Sequence, residues 1–217
     1  PDMLRLIPPH FFADSLHSFF RSELLQLLDE ANPLAEISQK RRLTLRGPGG
    51  IPENALFLPM RDVHPMDFGR LCPVETPQGA DLGLTLYLAR DAGVDELGLI
   101  EARFRDRSSG QDEFLDPYEE GLRAGVIAVE PPQPGAASVY AKTSDAELAL
   151  VDPNDVTHVA PSHDSFLGYA ASLIPFIQHD DANRALMAAN MMKQAVPLKK
   201  PEAPLVKSGF EAEIGSR

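Results

Sequence analysis

The sequence predicts an α+β fold, with mixed helices and short strands in an irregular, loop-rich chain and a small acidic β-rich subdomain inserted. Three observations lead to this prediction. Apolar residues recur at three- and four-residue steps within 10–31, and amide side chains recur at such steps in the Ala-, Leu- and Met-rich stretch 182–197, which is typical of helices. Short alternating runs bounded by turn residues fill 97–159, which is typical of strands. The chain also has 20 prolines in 217 residues, which favours many short elements over long helices.

The composition favours an ordered protein in a reducing compartment. With 43% hydrophobic residues the chain can bury a core, and its single cysteine, Cys72, excludes an internal disulfide. No apolar run approaches the roughly 20 residues that span a bilayer, and no signal-peptide pattern opens the chain. We therefore expect a cytoplasmic location, with a bacterial nucleoid, a plastid or a virus-infected cell equally compatible. The chain begins with Pro1, so we expect a piece of a longer protein or a processed product.

The charge is unevenly distributed. A net charge of −12 argues against a free-standing nucleic-acid binder, because phosphate binding rests on Lys and Arg. Residues 95–165 hold 15 acidic and 5 basic side chains, a net −10, so the remainder is only −2. We expect the acidic region to point away from any bound polynucleotide, because like charges repel. The remainder contains a basic cluster made of Lys40, Arg41, Arg42 and Arg46.

Residues 10–31 predict a core-facing helix, ended by Asn32-Pro33 because the residue before a proline avoids the helical conformation. Its apolar residues are Phe11, Phe12, Leu16, Phe19, Phe20, Leu24, Leu27 and Leu28. Three prolines and three glycines in 47–59 then exclude a regular helix and predict a protruding loop. Such a loop, with basic residues where it begins and glycines at its tip, can approach a phosphate backbone. A surface loop with solvated charges is the alternative.

Residues 61–84 are rich in turn signals. His64, Asp67 and Glu75 could be metal ligands, but their spacing matches no ligand template and favours structural turns. From 97 to 159 the strand-like runs follow, which predicts a division into 1–97, an acidic β-rich unit at 98–165, and 166–217.

A helix beginning near Ala182, capped by Asp180 or Asp181, is predicted next, and Pro197 stops it. Its polar residues at steps of four, three and four share one face; they are Asn183, Asn190 and Gln194, with Met187 among them. A buried unsatisfied amide costs about 1–3 kcal/mol, so these amides bond either to protein or to a ligand such as a nucleotide or RNA. Arg184 beside the helix start suits phosphate binding.

The pair His179-Asp180 raises a second possibility, a metal-dependent phosphohydrolase of the HD type. His158 and His163 are available, but no further ligands fall at convincing positions. A Ser/His/Asp nucleophile, a Walker motif and a dinucleotide glycine motif all lack sequence support. A self-contained enzyme is therefore disfavoured.

Three segments together resemble one family, the β subunit of bacterial-type multisubunit DNA-dependent RNA polymerase. They are "NPLAEISQKRRLTLRGPGG" (32–50), "RDVHPMDFGRLCPVETPQGADLGL" (61–84) and "SLIPFIQHDDANRALMAANMMKQAVP" (172–197). The resemblance extends weakly over nearly all of the chain, while the family's subunit is several times longer. It implies a central fragment, or one part of a split subunit, from a divergent member.

The resemblance implies site residues. The inhibitor pocket bound by rifamycins, beside the path of nascent RNA, would comprise Gln26, Asp29, Gln39, Arg42, Thr44, Gly83 and Thr85. The loop through Pro59 resembles the fork loop that meets downstream DNA. Arg184 matches an arginine that contacts the triphosphate of the incoming nucleotide, with Asp181 beside it as the other catalytic-centre residue. Residues expected to face nucleic acid are Lys40, Arg42, Arg46, Arg61, Asn190, Lys193 and Gln194.

This chain departs from the family's pattern at several positions. They are Gln39 for His, Thr44 for Ser, Glu53 and Ala55 for Arg, Gln78 for Glu, Asp81 for Asn, and Lys193 for Arg. Two of these changes fall in the inhibitor pocket, so we predict that a polymerase containing this chain binds rifamycins poorly. The changes at the fork loop replace arginines, so they weaken the expectation that this loop binds DNA.

The resemblance also implies the function and partners. The chain would form part of the active-site cleft, the nascent-RNA path and the incoming-nucleotide site of a nucleotidyltransferase complex, and would be inactive alone. It would bind no cofactor, because the magnesium belongs to the partner β′ subunit. Its partners would be the rest of β, the β′ and α subunits, template DNA, nascent RNA and nucleoside triphosphates, with no membrane. The alternative is a non-catalytic, polymerase-derived binding, resistance or assembly module.

Overall fold

The computed structural model describes residues 10–22, 25–143 and 147–216. Helices and strands occur together, which confirms the predicted α+β class. The helices are α1 (His10–Phe20), α2 (Pro33–Lys40), α3 (Pro117–Glu119), α4 (Tyr169–Ser172), α5 (Ala182–Lys193) and α6 (Glu211–Gly215). The strands are β1 (Arg42–Thr44), β2 (Thr85–Tyr87), β3 (Gly93–Val94), β4 (Ile100–Asp106), β5 (Asp112–Leu115), β6 (Ile127–Ala128), β7 (Val139–Lys142), β8 (Leu148–Val151) and β9 (His158–Val159).

The first predicted helix is shorter and more exposed than the sequence suggested. Helix α1 ends at Phe20, and 25–30 are not helical, so the prediction of one helix over 10–31 is wrong. The prediction that it faces the core is also wrong for this chain, since its described apolar side chains are 59–63% exposed. Those side chains are Phe12, Leu16, Phe19 and Phe20. Leu24 and the side chain of Phe11 lie outside the described residues.

The pair Asn32-Pro33 begins a helix instead of ending one. Asn32 Oδ1 accepts a hydrogen bond from the N–H of Ala35 at 2.8 Å, which caps α2. Pro33 fits the first helical position because its missing N–H would have no helical partner there. The restriction that proline places on the preceding residue is therefore satisfied by the extended conformation of a helix cap.

The predicted loop begins at the end of β1, one of the two strands of a small sheet. Strands β1 and β2 are antiparallel, with Thr44 opposite Thr85. The loop turns at 47–50, where the N–H of Gly50 donates to the carbonyl of Gly47 at 2.9 Å. Beyond it come only short helical turns, Glu53–Ala55 and Leu58–Arg61. The absence of a regular helix over 47–59 is confirmed.

Most strands form one larger sheet. Its order is β3-β4-β9-β6-β7-β8, with β5 also paired with β4 on the edge opposite β9, and the pairs are antiparallel except for β6 with β9. Its core contains Ala102, Phe104, Leu115 and Ile127, and Phe68 from the preceding segment packs against them. The strand-like runs over 97–159 are thus confirmed as strands. The domain division at 1–97, 98–165 and 166–217 stays a prediction, as does the orientation of the acidic region.

A buried ionic cluster ties this sheet to the segment before it. The carboxylate of Glu120 lies between Arg70, at 2.6 Å, and Lys142, and all three side chains are at most 5% exposed. Arg70 also donates to the carbonyls of Ile100 at 3.1 Å and Leu115 at 2.8 Å. Burial lowers the pKa of Lys142, and the adjacent Glu120 opposes that shift. Because each charge has a partner, the cluster joins the two parts of the fold without an orphaned ion.

No helix in the described ranges is both long and apolar enough to cross a membrane.

Candidate functional site

Helix α5 begins at Ala182, and its cap is Asp181. The Oδ2 of Asp181 accepts from the N–H of Asn183 at 3.2 Å, which confirms the predicted capping and decides between the two candidate aspartates. The helix ends at Lys193, so it stops before Pro197 is reached. Its buried face is made of small side chains, which lets helix α4 pack closely against it; they are Ala185 and Ala189.

Arg184 lies in the first turn of α5 with its side chain exposed. Its Nη1 is 3.5 Å from the sulfur of Met187. No carboxylate among the described residues forms an ion pair with it. A guanidinium at a helix N-terminus, with the positive end of the helix dipole beside it, suits an anionic ligand. The described structure therefore leaves Arg184 available to bind phosphate.

The other end of α5 is held by the protein itself. Asn190 Nδ2 donates to the carbonyl of Thr76 at 3.0 Å. Lys193 Nζ lies 2.7 Å from Glu75 Oε2 and 3.5 Å from the centre of the Tyr87 ring. The amide of Asn190 is thus bonded to protein, which is one of the two kinds of partner expected for the amides on this helix face. The exposed Asn183 and the helix-ending Gln194 have no such anchor among the described residues. The RNA-facing role expected for Asn190, Lys193 and Gln194 stays a prediction.

Glu75 is the buried centre of this anchor. Only 1% of its side chain is exposed, and its Oε1 accepts from the N–H of Ala171 in α4 at 2.9 Å. The chain passes so close that a Cβ added at Gly168 would lie 2.3 Å from that oxygen. Glu75 therefore joins α4 and α5 to the loop that carries it. Burial, reinforced by the neighbouring Glu75, raises the pKa of the Cys72 thiol to about 11.

The residues considered as metal ligands have structural roles. His64 Nδ1 accepts from the N–H of Met66 at 3.1 Å, and Asp67 Oδ2 accepts from the N–H of His64 at 2.9 Å. These bonds cap the turn Pro65–Asp67, as the interpretation as structural turns predicted. His179 ends a short helical turn, Ile177–His179, next to the cap of α5. In the part of the chain that the structure describes, no group of three His, Cys, Asp or Glu side chains is arranged to hold a metal ion.

Most residues assigned to the inhibitor pocket surround one open groove, which we call the α2–β1 groove. It has a volume of about 370 Å³ and is lined by Gln26, Leu28, Gln39, Lys40, Arg42, Leu43 and Thr44. Gln39 accepts from the N–H of Asp29 and donates to the carbonyl of Leu27 at 2.7 Å. Arg42 donates to Gln26 Oε1.

Three pocket residues do not line this groove: Asp29, which bonds to Gln39, and Gly83 and Thr85, which lie beside and on β2. Thr85 is paired with Thr44 in the small sheet. Gly83 has a φ of +72° and faces Arg61, where an added Cβ would lie 2.6 Å from the Arg61 carbonyl oxygen. Gly83 lines a second cavity of about 460 Å³, so the structure does not place it in the α2–β1 groove.

The basic cluster does not form one free cationic surface. Lys40 pairs with Glu36 at 2.6 Å. Arg41 donates to carbonyls beyond β2, and its guanidinium lies 4.7 Å from the centre of the Tyr169 ring. Arg61 donates to the carbonyls of residues 80 and 82 at 2.8 and 2.7 Å. The nucleic-acid role expected for Lys40, Arg42, Arg46 and Arg61 stays a prediction.

Arg46 is held between two carboxylates, Glu53 and Asp81. The arginine at the base of the loop is therefore neutralised by the loop's own acid and by the turn before β2.

Sequence reasoning missed Asn32, the anchoring role of Glu75 and the ring of Tyr87. An Asn followed by Pro is a recognised helix-start signal and could have identified Asn32. No local signal marks Glu75 or Tyr87, because their partners are distant in sequence.

Comparison with known proteins first indicates the class of protein that the chain resembles. The family described as RNA polymerase Rpb2, domain 3, matches residues 26–94. This stretch contains the α2–β1 groove, the loop and both strands of the small sheet. The groove and loop therefore lie in the part of the chain that is similar to this RNA polymerase domain.

Similarity to whole β subunits extends further. The DNA-directed RNA polymerase subunit beta of Gloeobacter violaceus is 42% identical over 216 residues, covering 96% of this chain and 19% of that protein. That of Flavobacterium psychrophilum is 39% identical over 97% of this chain and 17% of its own length. That of Guillardia theta is 39% identical over 96% and 20%. The chain is therefore similar to RNA polymerase β subunits over nearly all of its length, and it spans about a fifth of the length of the curated relatives it matches.

Proposed function

We propose that this chain forms part of the active-site cleft of a DNA-directed RNA polymerase, where Arg184 binds the triphosphate of the incoming nucleotide. The observation that carries the proposal is the asymmetry of α5. Its C-terminal half is held by Asn190 and Lys193, while Arg184 at the other end is exposed and has no described carboxylate partner. A cation fixed in position but left without a counter-ion is suited to an anionic ligand.

In nucleotidyl transfer, the 3′ hydroxyl of the RNA attacks the α-phosphate and pyrophosphate leaves. The planar guanidinium of Arg184 would donate two parallel hydrogen bonds to phosphate oxygens and neutralise charge that grows on the leaving group. Asp181 would act as a positioning residue, since its carboxylate caps the turn that carries Arg184. We assign the magnesium ion to the β′ subunit; among the described residues of this chain, no group of three His, Cys, Asp or Glu side chains is arranged to hold a metal ion.

We place the nascent RNA beside the α2–β1 groove. The partners would be the remainder of β, the β′ and α subunits and template DNA, all in the cytoplasm or an equivalent compartment such as a plastid. Both ends of the Gln39 amide are already bonded to 27–29. A rifamycin would have to displace these bonds, so we expect an assembled enzyme with this chain to resist it. Full sensitivity in a transcription assay would contradict that expectation.

The test of the nucleotide site is Arg184→Ala in a full-length β subunit assembled with its partner subunits. A lost hydrogen bond to a charged group costs about 1.5–3 kcal/mol, which corresponds to a rise of roughly 10- to 100-fold in KM for nucleoside triphosphates. Arg105→Ala is the matched control, because Arg105 is half exposed on the larger sheet and pairs with Asp112. An unchanged KM in Arg184→Ala would remove this residue from the nucleotide site.

One observation favours the second candidate, a non-catalytic binding or assembly module. Glu53 and Asp81 neutralise Arg46 at the base of the loop, which weakens the loop's attraction for DNA. Co-purification separates the two functions. If the chain is recovered with β′-like and α-like subunits and the complex extends RNA, the polymerase function holds. If it binds those subunits without extension, the module is favoured.

A further inference from the structure

Asn32 uses both ends of its amide, and each end meets a different helix. Its Oδ1 accepts from the N–H of Ala35 at 2.8 Å and caps the start of α2. Its Nδ2 donates to three carbonyls at the end of α5: Met192 at 3.1 Å, Lys193 at 2.9 Å and Ala195 at 2.9 Å. These carbonyls lie where the regular hydrogen bonds of a helix run out, so a side-chain donor there adds bonds that the helix does not supply; the Met192 carbonyl also accepts from the N–H of Ala195 at 3.2 Å.

We infer that Asn32 is a positioning residue for nucleotide binding, an inference that rests on the proposed function. Helix α2 carries Gln39 and leads into β1, so it forms one wall of the α2–β1 groove. Helix α5 carries Arg184 nine residues before Lys193. At about 1.5 Å per residue, this places Arg184 roughly 14 Å along the helix from the Asn32 contacts.

The position of α5 depends on contacts at its C-terminal end. Lys193 and Asn190 hold that end to the loop containing Glu75 and Thr76. Among the described residues, the side chain of Asn32 makes the hydrogen bonds that connect α5 to the start of α2. Because a helix moves largely as a rigid body, a tilt at this end displaces Arg184 at the other. Asn32 therefore influences the nucleotide without touching it.

The experiment uses Asn32→Asp and Asn32→Ser in a full-length β subunit within the assembled polymerase. Both variants keep an oxygen that can cap α2. Both lose the Nδ2 donor, and Asp also places a negative charge beside the negative end of α5. We expect KM for nucleoside triphosphates to rise about tenfold in Asn32→Asp and about threefold in Asn32→Ser, with kcat changed less than about twofold. The matched control is Asn154→Asp, the same chemical change in an exposed turn.

The KM-against-kcat split separates positioning from a general structural role. If Arg184→Ala raises KM but both Asn32 variants leave it unchanged, the inference is overturned and the proposed function stands. A lower kcat at unchanged KM also overturns the inference, because it reports damage without displacement of Arg184. If Arg184→Ala leaves KM unchanged, the proposed function fails and the role of Asn32 fails with it. Asn32→Ser decides the matter should Asn32→Asp prevent assembly.

Discussion

Glu120 and Glu75 are both buried carboxylates paired with lysine, but they connect different parts of the molecule. Glu120 lies between Arg70 and Lys142 and joins the larger sheet to the segment before it. Glu75 pairs with Lys193 and bonds to helix α4, so it holds the helix whose first turn carries the exposed Arg184. The same chemistry therefore has a different consequence in each place. Around Glu120 it secures the fold, and around Glu75 it also positions a cation at the surface.

Burial of a charged pair therefore does not by itself reveal the role of that pair. Replacing one partner of either pair leaves a buried charge without compensation, which is costly in both places. Only the pair at Glu75 should also change how the protein handles a ligand. Stability and nucleotide affinity measured on the same variants therefore distinguish the two clusters.

The largest expected effect is on stability, in Glu120→Ala. The substitution leaves the buried Arg70 and Lys142 side chains facing each other without their carboxylate. We expect the free energy of unfolding to fall by about 3–5 kcal/mol, measured by chemical denaturation. Glu96→Ala, at an exposed acid in the same region, is the control and should change little. A loss below about 1 kcal/mol in Glu120→Ala would mean that the cluster does not secure the sheet.

An intermediate effect is expected in Gly168→Ala. The new methyl group would lie 2.3 Å from Glu75 Oε1 and 3.3 Å from the Cβ of Cys72, so the Glu75 side chain must shift. Overpacking of this kind costs about 1–3 kcal/mol. Gly121→Ala is the matched control, since nothing lies within 4 Å of a Cβ there. Equal stability of the two variants in thermal unfolding would show that Glu75 is not tightly enclosed.

The smallest effect is expected at the surface pair of Arg105 and Asp112. The hydrogen bond from Arg105 lowers the pKa of Asp112 below its ordinary value of 3.8. The carboxylate is therefore favoured in the folded state, and its contribution is present above about pH 4 and lost as pH falls through the lowered pKa. Asp112→Asn should be slightly less stable than the parent chain at neutral pH, and the difference should vanish in acid. A difference that grows as pH falls would contradict this assignment.

Much of the fold could be predicted because local patterns carried it. The strands over 97–159 follow from alternation, and a cap at Asp180 or Asp181 follows from the preference for Asp before a helix. The extent of α1 was mispredicted because its apolar periodicity continues past Phe20, where the chain is no longer helical. The periodicity also could not show that this apolar face is exposed in the chain.

The site was less predictable, because its contacts join residues far apart in sequence. The sequence shows that Asn190 is a polar residue in need of a partner. It does not show that the partner is the carbonyl of Thr76, 114 residues earlier. Asn32 and Met192 are 160 residues apart. The availability of Arg184 also depends on which acids lie near it, and only the folded chain decides that.

We expect the anchor at Glu75 to act on nucleotide binding through Arg184. The most direct test is a double-mutant cycle of Glu75→Gln and Arg184→Ala in the assembled polymerase, with KM for nucleoside triphosphates as the readout. Glu75→Gln should raise KM several-fold when Arg184 is present and cause no further rise when Arg184 is already Ala. An equal rise in KM in both backgrounds, or no rise in either, would show that Glu75 does not act on nucleotide binding through Arg184.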